Sequence, residues 1–271
     1  MKHSSLLSLE QAKKILLDGT TTITEAQVVP LNMLLDRVIA TDVIAPINVP
    51  QHDNSAMDGY AIAFKGNQAK QSTTFKLIGK SLAGIPFGGE LQYGQCIRIT
   101  TGGVVPKGTD AVVMQENVEH FGDHIRLAHS VNRGEFIRKC GSDISHHQVL
   151  FHKGHRLTSI DIGLLASLGI TDVSVFRRPK IIVLSTGDEL QVPGSPLKDG
   201  QIYESNGVML TLMAQKMGAD VENLGIVADD KAAIASALEN ACKQADAVIC
   251  SGGVSVGEAD YTKEVLSELG K

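Results

Sequence analysis

Short apolar runs in the C-terminal part of the chain end repeatedly in polar loops. Residues 180–190 read KIIVLSTGDEL, so four consecutive apolar residues lead into hydroxyls, a glycine and two acids. Residues 221–230 (VENLGIVADD) and 247–261 (AVICSGGVSVGEADY) repeat this arrangement. A short apolar run bounded by turn residues is typical of a buried strand. The pattern therefore predicts three strands, each followed by a polar loop.

Helical patterns separate these strands. Residues 206–216 and 232–244 carry apolar residues at the spacing of helices that pack on a sheet. Strands that alternate with helices are typical of βαβ units and a parallel sheet. We therefore expect an α/β domain that begins at residue 178.

The N-terminal half has a different pattern. Between Phe64 and His152, short β-type runs are separated by glycine, asparagine and proline, and they read TFKLIG, CIRITTG, DAVVMQENV and HIRLAHS. Short strands at close spacing predict a mainly-β domain inserted before the α/β domain. Ahead of it, Ser8 as N-cap, Gln11 as its capping-box partner and Gly19 as terminator predict a first helix.

Domain boundaries follow from these changes of pattern. A chain of 271 residues exceeds a typical single domain, so two or more domains are expected, each able to bury a core. We predict an N-terminal helical and linker segment (1–50), an inserted β domain (51–145), a linker segment (146–177) and an α/β domain (178–271).

Composition and charge argue against several classes of protein. Hydrophobic residues make up 43% and charged residues 20% of the chain, which are ordinary values for a soluble protein. The net charge of −5, without a Lys/Arg-rich run, argues against a nucleic-acid-binding face. No apolar run is long enough to cross a membrane, and the start lacks the apolar core of a secretory signal. We therefore expect a small-molecule substrate, with no nucleic-acid or membrane partner.

The residue types that bind transition metals form no recognisable ligand pattern. The four cysteines are scattered and include no CxxC pair, so the sequence predicts neither a zinc site nor a disulfide framework. Reduced thiols of this kind are typical of a cytoplasmic protein. His146, His147, His152 and His155 lie close in sequence, but at no known ligand spacing, and we interpret them as surface loop histidines.

The polar strand ends carry the candidate chemistry. Ligands of open parallel sheets bind outside the carboxyl ends of the strands, so we expect the three polar loops to converge on one crevice. In the last loop, paired glycines let N–H groups approach an oxyanion, hydroxyls add donors and carboxylates suit a hard cation. These residues are Gly252, Gly253, Ser251, Ser255, Glu258 and Asp260. A glycine turn before a solvated helix would have the same residues, but the recurrence of similar loops favours anion binding.

Two loops of the β domain have polar residues of their own. In DNSAMDGYAI (53–62), Asp53 and Ser55 fit an Asx turn or a helix cap, whereas we interpret Asp58 as a functional carboxylate, with a β turn as the alternative. In RITTGGVVPKG (98–108), hydroxyls and glycines follow a strand, and a hairpin turn would have the same composition.

Taken in order, the motifs resemble those of the molybdopterin molybdenumtransferases, the MoeA and gephyrin E-domain family. They are DNSAMDGYAI, RITTGGVVPKGTDAVVMQE, GLLASLGI, STGDEL, IYESN and SGGVSVGEADY. The match covers nearly the whole chain from Ser8 onward. It implies a multidomain, MoeA-like fold of α/β plus β type. This fold has an inserted mainly-β domain and a three-layer α/β/α molybdopterin-binding domain.

The resemblance also implies an activity. A member of this family inserts molybdenum from molybdate into adenylylated molybdopterin, cleaves the adenylyl group with the help of Mg²⁺ and releases AMP. By motif matching, the catalytic residues are expected to be Asp58, Thr101, Asp143, Glu189, Asp229 and Asp260. The expected magnesium ligands are the carboxylates Glu189, Asp229 and Asp260. The residues expected to bind cofactor or substrate are Asn206, Ser251, Gly252, Gly253 and Ser255.

Partners are implied by the same resemblance. The family forms elongated homodimers in which the β domain of one subunit faces the α/β domain of the other, so the site is expected to be shared between chains. A molybdopterin adenylyltransferase is a further expected partner. The family normally continues after the SELGK segment, so we expect this chain to be truncated at its end.

The chain departs from the family pattern in two loops. Gln51 and His52 stand where the family has Pro and Phe. Cys140 and Ser142 stand where it has Arg and Glu. A lost arginine would remove a donor to phosphate.

Two other functions are compatible with parts of the pattern. A molybdopterin adenylyltransferase shares the α/β domain, but the DNSAMDGYA segment and the inserted β domain argue against it. A noncatalytic scaffold of the gephyrin type needs neither acidic strand ends nor a divalent cation. A scaffold would therefore tolerate Asp229→Ala and Asp260→Ala, and an enzyme would not.

Overall fold

The structure is a computed structural model that describes residues 7–252 and 261–270. Its contacts divide the chain into two compact units. The first, called the α/β unit, comprises Met1–Thr41, Gly154–Ile162 and Asp172–Lys271. The second, called the β unit, comprises Asp42–Lys153 and Gly163–Thr171.

Helices and strands alternate mainly in the α/β unit, and strands dominate the β unit. The helices are α1 (Leu9–Gly19), α2 (Ser159–Ser167), α3 (Asn206–Lys216), α4 (Lys231–Gln244) and α5 (Tyr261–Leu269), with short 3-10 helices at Leu31–Met33 and Gln115–Asn117. The strands are β1 (Ala26–Pro30), β2 (Val43–Ile44), β3 (Asn54–Ser55), β4 (Gly59–Ile62), β5 (Gln68–Ala69), β6 (Thr74–Ser81), β7 (Gln95–Ile99), β8 (Ala111–Met114), β9 (Val118–Phe121), β10 (His124–Leu127), β11 (Val131–Asn132), β12 (Ile137–Arg138), β13 (Val149–Phe151), β14 (Asp172–Phe176), β15 (Lys180–Thr186), β16 (Leu190–Gln191), β17 (Ile202–Tyr203), β18 (Asp220–Val227) and β19 (Ala247–Ser251).

The first helix begins and ends as the sequence predicts. The Ser8 hydroxyl accepts a hydrogen bond from Gln11 N at 3.3 Å, and the Gln11 side chain accepts one from Ser8 N at 2.9 Å. This reciprocal capping box pairs amide groups that would otherwise lack a partner inside the helix. The helix ends at Gly19.

A parallel sheet forms the centre of the α/β unit. Strand β15 lies between β18 and β19 and pairs in parallel with both. Its residues Ile182, Val183 and Leu184 are all buried, as expected of a central parallel strand covered on both faces. The predicted βαβ architecture is therefore confirmed, and α3 covers the residues predicted for it.

The connections place helices on both faces of this sheet. The chain passes from β15 through α3 to β18, and then back through α4 to β19 on the other side of β15. Both crossovers are expected to be right-handed, and they run in opposite directions across the sheet, so α3 and α4 lie on opposite faces. The unit therefore has three layers, with the sheet between two layers of helices. Leu184, Ile234, Leu238 and Val265 form one of its cores, against which α4 and α5 pack.

The β unit is built on a mixed six-stranded sheet with the order β8-β4-β7-β6-β10-β9. Strands β6 and β7 are parallel, and the other neighbours are antiparallel. Every residue of β4 is buried, because β4 lies between β8 and β7. A side chain at Gly59 would collide with the carbonyl of Val113, so only glycine permits this close approach of β4 to β8.

Residues 146–177, which we predicted as a linker, contain regular structure. They form β13, α2 and β14. Strand β13 pairs with β2, and β14 pairs with β1. The buried side chains Leu165, Leu168, Val173 and Val175 explain this order, because burying them stabilises packed elements rather than an open connection.

Candidate active site

The three polar strand ends of the α/β unit lie at one edge of its sheet. Ser185 of β15 is opposite Ser251 of β19, and Thr186 is opposite Val227 at the end of β18. The parallel register therefore brings the ends of the three strands to the same edge of the sheet. The chain leaves β15 towards β18, whereas β19 lies on the other side of β15. This edge of the sheet, beside β15, is the topological switch point, the position at which open α/β sheets bind ligands.

The acids that follow β15 and β18 have distinct roles. Glu189 is exposed, and its carboxylate lies so close to Gly187 that a Cβ there would be 2.6 Å from Oε2. Asp230 caps α4, because its Oδ1 accepts hydrogen bonds from Ala232 N and Ala233 N at 3.0 Å each. Asp230 is therefore occupied as the cap of α4. The neighbouring Asp229 is half-buried, and it is the carboxylate of this loop that remains for binding a ligand.

The loop after β19 begins at a glycine that the backbone requires. Gly252 has a φ of +101°, and a side chain there would collide with the carbonyl of Thr186. Its position therefore allows the close approach of main-chain groups that an anion-binding loop needs. The remaining predicted residues of this loop, Gly253, Ser255 and Asp260, lie outside the described residues.

A buried carboxylate beneath this edge was missed by the sequence analysis. Glu204 has only 7% of its surface exposed, and its Oε1 accepts hydrogen bonds from Ser185 Oγ at 3.1 Å and Gly207 N at 2.5 Å. It thereby joins the end of β15 to the first turn of α3. The IYESN motif contained this signal, because an acid directly before a helix is well placed to pair with the amides of its first turn. Asn206, predicted to bind the substrate, is exposed at the start of α3.

In the β unit, two residues predicted from separate motifs are in direct contact. Asp58 Oδ1 accepts hydrogen bonds from Thr101 N at 2.7 Å and Thr101 Oγ1 at 2.9 Å. The contact follows from the pairing of Gly59 with Ile99, which brings the residue before β4 close to the loop after β7. The hydrogen bonds from the Thr101 amide and then its hydroxyl lower the pKa of Asp58, aided by the charge of Arg98. Asp58 is therefore an exposed carboxylate held in its ionised form.

Asp143 belongs to a different local cluster. Its Oδ2 is 2.6 Å from Arg138 Nη2, and its Oδ1 accepts a hydrogen bond from Ser142 Oγ at 3.3 Å. Within the described ranges, no hydrogen bond links Asp143 to Asp58 or Thr101. The structure therefore brings only Asp58 and Thr101 of these three predicted residues into contact.

Asp53 differs from its interpretation as a local turn residue. Its carboxylate accepts hydrogen bonds from Lys139 Nζ at 2.7 Å and Cys140 N at 2.8 Å, both distant in sequence. These two donors, with Lys139 first, lower its pKa. Ser55 does form a turn, because its hydroxyl donates to Met57 O at 2.6 Å. The sequence could not show that the loop around residue 140 lies beside Asp53.

The described residues were compared with the arrangements of side chains that bind metal ions. No group of three or more His, Cys, Asp or Glu side chains in residues 7–252 and 261–270 is arranged to hold a metal ion. His146 and His147 stack with ring centroids 3.6 Å apart, and His152 pairs with Asp42 at 3.1 Å. In the same ranges, no helix is both long and apolar enough to span a membrane.

Comparisons with known families cover almost all of the chain. The family described as "MoeA N-terminal region (domain I and II)" matches residues 7–169. The family described as "Probable molybdopterin binding domain" matches residues 182–271.

Individual relatives give the same result. The molybdopterin molybdenumtransferase of Haemophilus influenzae is 43% identical over 267 residues, which cover 98% of this chain and 66% of the relative. That of Nostoc sp. is 36% identical over 249 residues, which cover 91% of this chain and 57% of the relative. The chain therefore spans between 57% and 66% of the length of these two curated relatives.

Solved structures share the fold. Two structures of a molybdopterin biosynthesis MoeA protein from Pyrococcus horikoshii have TM-scores of 0.83 and 0.82, at 34% and 32% sequence identity. The matches cover 98% and 91% of this chain and 67% and 66% of those chains. The fold is therefore MoeA-like, and with a family match over more than half of its residues, the chain belongs to the MoeA family.

Proposed function

We propose that this chain acts in molybdenum cofactor biosynthesis as a molybdopterin molybdenumtransferase. It would take adenylylated molybdopterin and molybdate as substrates, insert molybdenum and release AMP. The observation that carries the proposal is that β15, β18 and β19, the strands that Glu189, Asp229 and Gly252 follow, end at one edge of the sheet, the edge at which α/β sheets bind ligands. The names of the curated relatives support the same activity.

The donor set at this edge fits Mg²⁺. This cation prefers oxygen ligands and is usually bound by one or two carboxylates together with waters and substrate phosphates. Glu189 and Asp229 follow neighbouring parallel strands, and Asp260 is the third expected ligand. Bound there, the ion would neutralise charge on the phosphoryl oxygens of the adenylyl group.

The protein groups would bind and orient the substrate. Main-chain amides at Gly252, with the Ser251 hydroxyl, are suited to hold an oxyanion of the phosphate or of molybdate. Gly253, Ser255 and Asn206 are proposed to add donors to the substrate. Asp58, kept ionised by Thr101, would accept a hydrogen bond from a water or a substrate hydroxyl and so orient it.

We further propose a homodimer in which the β unit of one subunit and the α/β unit of the other form the site, with Asp143 lining it. A molybdopterin adenylyltransferase that supplies the substrate, and a cytoplasmic location, belong to the same proposal. Mixing chains that carry Asp58→Asn with chains that carry Asp229→Asn tests the shared site. When the two chains are mixed in equal amounts, half of the dimers are heterodimers, and each heterodimer has one intact site of its two. About a quarter of the normal turnover should therefore return. Recovery of no turnover, with heterodimers shown to form, would contradict the shared site.

The activity itself is tested by AMP release from adenylylated molybdopterin. We expect release that requires both molybdate and Mg²⁺, measured on this chain and on the chain extended to the length of its relatives. Release by the extended chain alone would place part of the site after residue 271. Absence of release from both would contradict the enzyme and favour the scaffold.

A further inference from the structure

The main chain beside Asp58 is fixed by two residues from opposite sides of β4, Arg98 through its side chain and Gln115 through its backbone. Arg98 of β7 donates a hydrogen bond from Nη1 to Gly59 O at 2.9 Å. It donates a second one from Nη2 to Gln115 Oε1 at 2.5 Å. Gln115, which follows β8, donates its own backbone N–H to Asp58 O at 3.1 Å. The guanidinium therefore spans the beginning of β4, and the peptide groups on both sides of the Gly59 Cα, which directly follows Asp58, are held by hydrogen bonds.

The orientation of the Arg98 guanidinium is itself constrained. Arg98 lies opposite Tyr60 in the ladder, and its guanidinium carbon is 5.2 Å from the centroid of the Tyr60 ring. The ring is buried, and its hydroxyl is 2.9 Å from His120 Nε2. A planar guanidinium that lies over an aromatic ring and donates two hydrogen bonds has little freedom to rotate. The single ammonium group of lysine cannot form the same set of contacts.

We propose that Arg98, together with Gln115, is a positioning residue that sets the direction of the Asp58 carboxylate towards Thr101 and the substrate. We call this pair the Asp58 brace. Asp58 is exposed, and the apolar packing of a core does not fix it. The brace supplies that constraint through hydrogen bonds. A catalytic group must be held within a fraction of an ångström, so such support is required where the carboxylate acts on a substrate.

The proposal rests on the proposed function of Asp58, and it has a direct kinetic test. In Arg98→Lys we expect kcat for AMP release to fall about tenfold while KM changes less than about twofold, because a misdirected group slows the reaction without weakening binding. The matched control is Arg126→Lys, since Arg126 also lies over an aromatic ring of the same sheet, 4.9 Å from the centroid of Phe121. Its kcat should stay within about twofold of the parent.

A second readout follows the carboxylate itself. With ¹³C-labelled aspartate, and Asp58→Asn to assign the signal, NMR gives the pH midpoint of the Asp58 carboxyl group. Arg98→Lys should move this midpoint upward as the bonds from Thr101 loosen, and Arg126→Lys should not. Gln115→Met removes the acceptor of the Arg98 fork and an exposed hydrogen bond to Glu116, and it keeps the backbone N–H that binds Asp58 O. It should therefore change kcat and the midpoint in the same direction even where Arg98→Lys folds poorly.

The outcomes separate the two proposals. An unchanged midpoint and unchanged kcat in Arg98→Lys and Gln115→Met would overturn the brace. A raised KM with normal kcat would also overturn it, because Arg98 would then bind substrate directly. Full turnover by Asp58→Asn would contradict the proposed function of Asp58, and the NMR midpoint would still decide whether Arg98 positions this carboxylate.

Discussion

The two ends of the parallel sheet use their acidic residues differently. At the amino end, Asp246 accepts two hydrogen bonds from Arg177, at 2.6 and 2.7 Å, and one from Lys180 N at 2.7 Å. At the carboxyl end, Glu189 and Asp229 form no ion pair within the described residues. Acids with partners stabilise the fold, whereas acids without them are available to a ligand. At the amino end Asp246 is thus paired within the protein, whereas at the carboxyl end Glu189 and Asp229 are the carboxylates proposed to bind a cation.

Removing a charge at the carboxyl end should produce the largest change in activity. In Asp229→Asn we expect kcat/KM for AMP release to fall about a hundredfold, because the change removes a carboxylate proposed to bind Mg²⁺, with a melting temperature within about 2 °C of the parent. Asp230→Asn is the matched control, since asparagine caps a helix as well as aspartate does. A large fall in the melting temperature of Asp229→Asn would instead show that Asp229 stabilises the fold.

Glu204 is the exception at the carboxyl end, because it is buried and paired. Glu204→Leu would leave the Ser185 hydroxyl and the Gly207 amide buried without an acceptor, so we expect a loss of roughly 2–4 kcal/mol in the free energy of unfolding. Glu204→Gln keeps an acceptor oxygen and should lose about 1 kcal/mol. Urea denaturation measures both changes.

A matched substitution on the same sheet provides the control for Glu204. Glu222 is exposed on β18, 3.7 Å from Lys180, so Glu222→Leu should change the free energy of unfolding by less than about 0.5 kcal/mol. Equal losses in Glu204→Leu and Glu222→Leu would mean that the pairing of Glu204 contributes nothing specific to stability.

These comparisons also show what the sequence can predict. The three parallel strands β15, β18 and β19 and the helices α3 and α4 were predicted because their apolar spacing is local, and α3 matched its predicted range. Asp58 and Thr101 were each predicted from a motif, but their contact depends on the register between β4 and β7. Glu204 was missed because its hydrogen-bond partner Ser185 lies nineteen positions earlier in the chain. Pairings between distant segments follow from the fold rather than from any local pattern.

The smallest expected change concerns the amino end, where it appears in stability and depends on pH. The hydrogen bond from Arg177, followed by that from Lys180 N, lowers the pKa of Asp246 to about 2. An unfolded aspartate has a pKa of about 3.9, so the stabilisation is fully present above that pH and disappears as the pH falls towards 2. Because the pair is partly exposed, we expect Asp246→Asn to lose only about 1 kcal/mol at neutral pH, with turnover unchanged.

Asp220→Asn is the control for this prediction, since Asp220 is more exposed and lies 3.8 Å from Arg178. It should alter the free energy of unfolding by less than about 0.5 kcal/mol. Denaturation curves recorded between neutral pH and pH 2.5 would show the Asp246→Asn difference shrinking with acidity. A difference that stayed constant over this range would mean that the ionised carboxylate is not what stabilises this end. The difference between the two ends would then be supported only by the carboxyl end. There, the effect of removing a charge is measured as a loss of activity rather than as a loss of stability.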